Sequence, residues 1–287
     1  MQIFLSFSRT NLEKAFDICT ALEEAGHTVF EEYNLRGEYR PEWANDLLNA
    51  DAAIALFSPA YKQSKRVWAH LTIVQQAEKN LIPVLVEGEE KFAVPFGFEN
   101  YEYIDARTDF DLALKQIVER VMDQKHSKDN LDRKSIIKEV LTIRTESGEA
   151  VIKNINKIFV AYSRKQRDVA KSLYELLVAN GQFAFWDAKL RAGANWRQTI
   201  QRALDECTHL IVIWTPDAAE SDEVEREVSY ALAKRKTIIP ILSKEIPELP
   251  YHLYGLHYLV LQEELKAIES TLIEAIEQFA TDDDLFS

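Results

Sequence analysis

Residues 3–9 read IFLSFSR, and residues 158–164 read IFVAYSR. The same offset of 155 carries Gly26 onto Gly181, Phe30 onto Phe185 and Leu35-Arg36 onto Leu190-Arg191. Past the next loop the offset becomes 157, which sets Ser58-Pro59 on Thr215-Pro216, Ser64 on Ser221 and Ile82-Pro83-Val84 on Ile239-Pro240-Ile241. One two-residue insertion accounts for the change. The chain therefore reads as two tandem copies of one domain, a pattern that must be recognised before any fold is assigned.

Each copy is a series of short apolar runs alternating with amphipathic stretches. In the second copy strands are expected at 157–162, 183–187, 209–214, 237–242 and 258–261. Helical spacing is plainest at Val169, Leu173, Leu176 and Leu177, at Ile200 and Leu204, and along Leu265, Ile268, Leu272, Ile276 and Phe279. Parallel neighbours need crossover connections, so this alternation predicts a flavodoxin-like, doubly wound domain. Its sheet should be five-stranded and mostly parallel, in the order 2-1-3-4-5, with helices on both faces. The expected boundaries are 1–122 for the first domain, 123–154 for a connector, 155–280 for the second domain and 281–287 for an acidic tail. Ile136, Ile137, Val140 and Leu141 give the connector one helix.

The chain has 287 residues, 47% of them hydrophobic, with only 8 Gly and 8 Pro, a composition of packed domains rather than disorder. A formal charge of −13 repels phosphate backbones and anionic lipid surfaces, so neither nucleic acid nor membrane is an expected partner. Cys19 and Cys207 fall one in each copy, in apolar helical contexts that suit reduced core thiols. Histidines 27, 70, 126, 209, 252 and 257 have no ligand spacing with them, so no metal site is expected. Met1 leads straight into a short apolar strand, without a basic region or a long apolar run, and a cytoplasmic protein is the expectation.

In a sheet of order 2-1-3-4-5, ligands bind where the winding reverses, at the carboxyl ends of the first and third strands. In the second copy that rule nominates Ser163-Arg164, the loop from Ala188 to Trp196, and the segment from Pro216 to Glu227. The first places a hydroxyl and a guanidinium at a strand end. The second follows Asp187 and carries Arg191, Gly193 and Trp196, and the third passes Ser221 into an acidic helix start. For Asp222, Glu223 and Glu225 the structural reading is preferred: acids in a first turn complement the helix dipole.

These residues together resemble the Toll/interleukin-1 receptor (TIR) domains, particularly their bacterial branch. The resemblance covers residues 1–122 and 155–280, and is carried by IFVAYSR, by FAFWDAKLRAGANWRQTIQRAL (183–204) and by TPDAAESDEVEREVSYALAKRKTIIPIL (215–242). It implies an enzyme that cleaves NAD between nicotinamide and ribose, using one glutamate on the helix after the third strand. The family's pattern runs Ser, two residues to a Trp, then four to the Glu. Counted from Ser221, it places the catalytic glutamate at Glu227 and Glu223 where the Trp is expected, so that Trp214 or Trp196 would have to pack the nicotinamide or its ribose.

One carboxylate suffices for this chemistry. Glycosidases pair an acid for the leaving group with a carboxylate for the oxocarbenium-like sugar. Nicotinamide departs neutral from a cationic precursor, so only the positive charge on the ribose needs a partner. NAD is then substrate, and no cofactor is implied. Ser163 and Arg164 would lie near the dinucleotide, Arg164 or Arg191 would pair a phosphate, and Trp196 would supply an aromatic wall. Each also has a structural reading: a strand-end cap for Ser163, a solvated loop charge for Arg191, a packing residue for Trp196.

In the first copy Glu227 falls on His70 in ungapped register, or on Thr72 if Trp68 is taken as the family's Trp. Neither is a carboxylate. Losing one costs on the order of 10² to 10⁴ in rate, so the first copy is expected to be catalytically silent. The resemblance further implies self-association, in which one domain completes the site of another. A tethered copy would serve at an effective concentration of roughly millimolar. It also implies a role in immunity, such as antiphage defence. The alternatives are an adaptor that binds other TIR proteins or a downstream effector without turnover, and a nucleotide sensor that binds NAD and releases no product.

Overall fold

The computed structural model describes residues 1–32, 42–123, 155–187, 196–243, 249–250, 253–261 and 265–279. The expected connector helix within 123–154, the tail 281–287, and Leu35, Arg36, Leu190, Arg191 and Gly193 lie outside the described residues. The chain forms two compact units, Met1–Lys153 and Asn154–Ser287.

In the first unit the strands are β1 (Gln2–Ser6), β2 (Thr28–Glu31), β3 (Ala52–Phe57), β4 (Asn80–Leu85) and β5 (Ile104–Asp105). The helices are α1 (Leu12–Glu24), α2 (Trp43–Asn49), α3 (Pro59–Gln63), α4 (Lys65–Gln76), α5 (Glu90–Ala93) and α6 (Phe110–Met122). The sheet runs β2-β1-β3-β4-β5, and every pairing is parallel. The central strand β3, AAIALF, is buried at all six positions, as a strand covered on both faces must be.

The second unit has strands β6 (Lys157–Ala161), β7 (Phe183–Phe185), β8 (His209–Trp214), β9 (Thr237–Leu242) and β10 (Leu259–Val260). Its helices are α7 (Arg167–Ala179), α8 (Trp196–Glu206), α9 (Pro216–Ala219), α10 (Asp222–Ala233) and α11 (Glu269–Phe279). The order is β7-β6-β8-β9-β10, again parallel throughout. The expected order 2-1-3-4-5 thus holds in both domains, and the sheets are wholly rather than mostly parallel. Ile158, Val160, Leu173, Leu177, Ile211, Ile213, Leu272 and Ile276 form the core on the α7 and α11 side.

The duplication extends to the punctuation of the backbone. Ser58 and Thr215 each accept a hydrogen bond at 3.1 Å from the N–H three residues on, Tyr61 and Ala218, and a proline follows each at the first helical position. Gly26 and Gly181, with φ of 83° and 71°, end α1 and α7 in left-handed caps, and His27 N–H and Gln182 N–H then reach back to Leu22 and Leu177 carbonyls. Glu78 and Arg235 take the left-handed conformation without being glycine, with φ of 46° and 56°, at the ends of α4 and α10. They too stand 157 apart.

Among the described residues, no helix is long and apolar enough to cross a membrane, and no group of three or more His, Cys, Asp or Glu side chains could hold a metal. Cys19 and Cys207 are buried free thiols, pushed by burial up to about 12 and about 11.

Candidate active site

The second domain's site is assembled from the carboxyl ends of β6 and β7 and the first turns of α10. Ser221 starts α10 by accepting a bond from Val224 N–H at 3.4 Å, and Asp222, Glu223 and Glu225 fill the first turn, where the helix dipole favours negative charge. The buried stripe of this helix is Val224, Glu227, Val228 and Ala231. Its spacing is that of a core-facing surface, and Glu227 occupies one of its positions.

A carboxylate at such a position is costly to ionise. Glu227 is only 9% exposed, and burial holds its pKa well above the usual 4.5. The negative charges of Asp187 and then Glu223 push in the same direction, and Arg226 opposes them. Asp187 sits two residues beyond β7 and accepts a hydrogen bond from Tyr162 Oη at 2.5 Å. Burial, followed by that bond, raises the Tyr162 phenol far above its ordinary value of 10, so it is a firm donor. Burial and two neighbouring acids thus outweigh Arg226 in the surroundings of Glu227, and Asp187 is oriented by Tyr162.

The other sequence-nominated residues divide by what they touch. Ser163 is 8% exposed and opens a short 3₁₀ turn, Arg164–Gln166, without making a side-chain cap. The exposed Arg164 reaches within 3.9 Å of Glu223 Oε2, so a charged pair stands where the sequence pattern expects a tryptophan. Ser221 spends its hydroxyl on the α10 cap. Trp214, 2% exposed at the end of β8, is enclosed, and its indole N–H has no hydrogen-bond partner among the described residues. Trp196 begins α8, but its side chain, like Arg191, is outside the described part of the chain.

Sequence reasoning missed Tyr162. It lies inside the IFVAYSR motif, between the strand and Ser163, but its partnership with Asp187 depends on β6 and β7 lying side by side in register from Lys157↔Phe183 onward. Also unforeseen was the tie between Lys165 Nζ and Asp217 at 2.5 Å, supported by Gln166 at 3.2 Å, which links the turn after β6 to α9.

The described geometry can be set beside known proteins. The family model for the TIR domain matches residues 3–118 and again residues 158–274. The chain belongs to the TIR domain family. Over 77 residues it is 35% identical to a probable 2′ cyclic ADP-D-ribose synthase, BdTIR, of Brachypodium distachyon. That stretch covers 26% of this chain and 34% of the relative, so the chain matches about a third of its length. Among solved structures, the TIR domain of the Toll-related receptor TRR-2 of Hydra magnipapillata is 22% identical with a TM-score of 0.37, covering 42% of this chain and 98% of its own. The CMP N-glycosidase BcmB of Clostridium botulinum is 20% identical with a TM-score of 0.31, covering 40% and 97%.

The first TIR domain has different chemistry at the same place. Helices α4 and α10 begin and end 157 residues apart, as do β3 and β8, so the counterpart of Glu227 is His70 and not Thr72. Asp187 corresponds to Glu32, Ala161 to Ser6 and Ala218 to Tyr61. His70 Nδ1 lies 2.7 Å from Ser6 Oγ, which is itself 2.9 Å from Tyr61 Oη. The ring packs against Phe4 and Trp43 at centroid distances of 5.2 and 4.7 Å. His70 Nε2 lies 3.4 Å from Glu32 Oε2 without hydrogen-bond geometry. A buried hydrogen-bonded network stands here in place of a buried carboxylate.

Proposed function

We propose that the second TIR domain cleaves NAD at the bond between nicotinamide and ribose, releasing nicotinamide and ADP-ribose or a cyclic ADP-ribose. The observation that supports this reading is Glu227: a carboxylate on the core-facing stripe of α10, at the carboxyl edge of the sheet, beside Asp187 and only 9% exposed. The relative's printed activity, 2′ cyclic ADP-ribose synthesis, is of the same kind.

The electrostatics suit a cationic substrate. In the free protein, burial and two neighbouring acids penalise an ionised Glu227. The positively charged nicotinamide riboside end of NAD offsets that penalty when it binds, and the carboxylate is then available to stabilise the charge that develops on the ribose. Asp187, held by Tyr162, adds negative potential on the same side. Ser163 and either Arg164 or Arg191 are assigned to the ribose and phosphates, Trp196 to a wall of the site, and Trp214 to packing beneath it. Ser221 acts through the cap that fixes the start of α10. NAD is substrate, and no other cofactor is required.

We further assign the protein to immune defence in the cytoplasm, against phage if the chain is bacterial, with self-association through its TIR domains. The test of the activity is direct. Full-length protein incubated with NAD, alone and under conditions that drive assembly, should release nicotinamide, and Glu227→Ala should not. Equal release by the two proteins would end the proposal. One observation favours a second reading, an adaptor without turnover: Glu223, paired with Arg164, occupies the expected tryptophan position. An adaptor would give no nicotinamide under any of these conditions.

A further inference from the structure

Successive side chains of a strand point to opposite faces of the sheet, and this decides what lies beneath Glu227. Ile158 and Val160 of β6, with Ile211 and Ile213 of β8, belong to the core on the α7 and α11 side. Ala161 and Trp214 therefore project from the other face, which α10 covers with Glu227 on its buried stripe. We propose that the indole N–H of Trp214 is the hydrogen-bond donor that receives the Glu227 carboxylate when it ionises. Trp214 is then a positioning residue for the cleavage proposed above. That role rests on the NAD-cleaving reading, whereas the pairing itself does not.

The first domain shows what spans these two positions. Phe57 there corresponds to Trp214 and His70 to Glu227, on the face packed by α2 and α4. The Tyr61 ring lies 5.6 Å from the Phe57 ring, Tyr61 Oη is 2.9 Å from Ser6 Oγ, and Ser6 Oγ is 2.7 Å from His70 Nδ1. One phenol and one hydroxyl thus bridge the whole gap. In the second domain both bridging residues are alanine, Ala218 and Ala161, while the cap at Thr215 and the proline after it keep their places. The two alanines are 1% and 0% exposed, so water does not refill the gap. The residue that is larger here than in the first domain is Trp214, and close packing gives its second ring the room that the phenol has left. Neither bridging position now sets a polar group between the indole and Glu227.

Both ends of the gap lack a partner. Trp214 is buried, and its N–H makes no hydrogen bond among the described residues, a state that buried donors rarely keep. Glu227 is nine-tenths buried, and burial and neighbouring charges act on its carboxyl with no hydrogen bond among them. A protonated carboxyl tolerates this, but an ionised one in such a place requires a donor. An indole N–H donates and never accepts, so it favours the charged form, the stronger acceptor.

The other polar groups around α10 are committed elsewhere or act through charge. Tyr162 bonds to Asp187, Ser221 caps its helix, and Lys165 and Gln166 hold Asp217 on α9. On α8, Arg202 pairs with Glu206 and Asp205 accepts from the Tyr230 hydroxyl, while Arg197 is exposed at the helix start and His209 lies at the far end of β8. Asp187, Glu223 and Arg226 influence Glu227 by charge, and Arg164 is drawn to Glu223.

The test uses full-length protein labelled with ¹⁵N, in which five tryptophans give five indole N–H signals. The Trp214 signal, assigned by through-bond spectra, should move downfield as rising pH ionises Glu227, and Glu227→Gln should abolish the movement. In the NAD assay, Trp214→Phe installs the first domain's own residue. It should raise the pH midpoint of kcat/KM by about one unit, the size of a lost bond to a charged acceptor, and lower kcat/KM about ten-fold below that midpoint. Lost packing alone would slow the reaction without moving the midpoint. An indole signal that ignores pH, or that moves equally in Glu227→Gln, would overturn the pairing. An unchanged midpoint in folded Trp214→Phe protein would overturn the positioning role. If the signal follows Glu227 but no nicotinamide is released, the pairing stands and the NAD-cleaving reading falls, taking the positioning role with it.

Discussion

Tyr162 donates a hydrogen bond to Asp187 across the carboxyl ends of two neighbouring parallel strands, and Asp187 in turn raises the pKa of Glu227. The phenol thus orients the acid that sets the charge environment of the candidate catalytic residue. Tyr162→Phe should cost about 1.5–3 kcal/mol of stability, the usual range for a hydrogen bond to a charged group. It should also lower nicotinamide release several-fold through kcat rather than KM, because the phenyl ring stays while Asp187 loses its tether. Thermal unfolding and steady-state rates on the same preparation check both. A variant with full stability and full kcat would show that the bond does neither job.

The raised pKa of Glu227 gives pH predictions of definite sign. If the carboxylate is the working form, kcat/KM should rise with pH through a midpoint well above the ordinary glutamate value, and Asp187→Asn should move that midpoint down by removing a like charge. Stability runs the other way. The folded state holds the Glu227 proton more tightly than the unfolded chain, so its contribution is fully present below about 4.5 and is lost as pH rises toward the folded value. Glu227→Gln should therefore become more stable than wild type over that rising window. Thermal scans from pH 4 to 9, about 0.5 unit apart, would show a widening gap or refute it.

The same backbone outlier at Glu78 and Arg235 marks an inherited turn rather than a functional strain, because both residues are exposed and end helices that differ in sequence at the position of Glu227 and His70. A non-glycine residue in the left-handed region carries a cost of about 1–2 kcal/mol, and glycine relieves it less the flexibility that it restores to the unfolded chain. Arg235→Gly and Glu78→Gly should each stabilise by about 0.5–1 kcal/mol. The check is denaturant unfolding, and a loss of stability in both would contradict the account.

The pair also shows what a sequence can carry. Offsets of 155 and 157 are legible because duplicated strands, caps and turns constrain residue type locally: Ser58-Pro59 and Thr215-Pro216 encode the same cap, and Gly26 and Gly181 the same reversal. The place of Glu227 came from the family resemblance, whose pattern is counted along one helix from Ser221, and its role is the proposal made above. The Tyr162–Asp187 bond was not legible, because it depends on residues beyond two different strands meeting at one sheet edge, which only the parallel register decides. The reversal of charge between the starts of α4 and α10 was in plain view as Lys65-Arg66 against Asp222-Glu223.

The two domains should respond in opposite ways to the loss of corresponding residues. Glu227→Ala removes a buried acid whose ionised form its surroundings penalise, so it should leave stability unchanged or improved while reducing nicotinamide release by on the order of 10² or more. His70→Ala removes a ring packed on Phe4 and Trp43 and bonded to Ser6, and should destabilise the first domain by about 2–4 kcal/mol. At temperatures below that transition it should leave nicotinamide release within about two-fold of wild type, since the activity is proposed for the second domain and Ser6, Tyr61 and His70 are bonded to one another in the first. The measurement is a thermal scan and an NAD assay on the full-length chain for both variants. Loss of most activity in a folded His70→Ala protein would mean that the first domain contributes to turnover, and the asymmetry drawn between Glu227 and His70 would have to be abandoned.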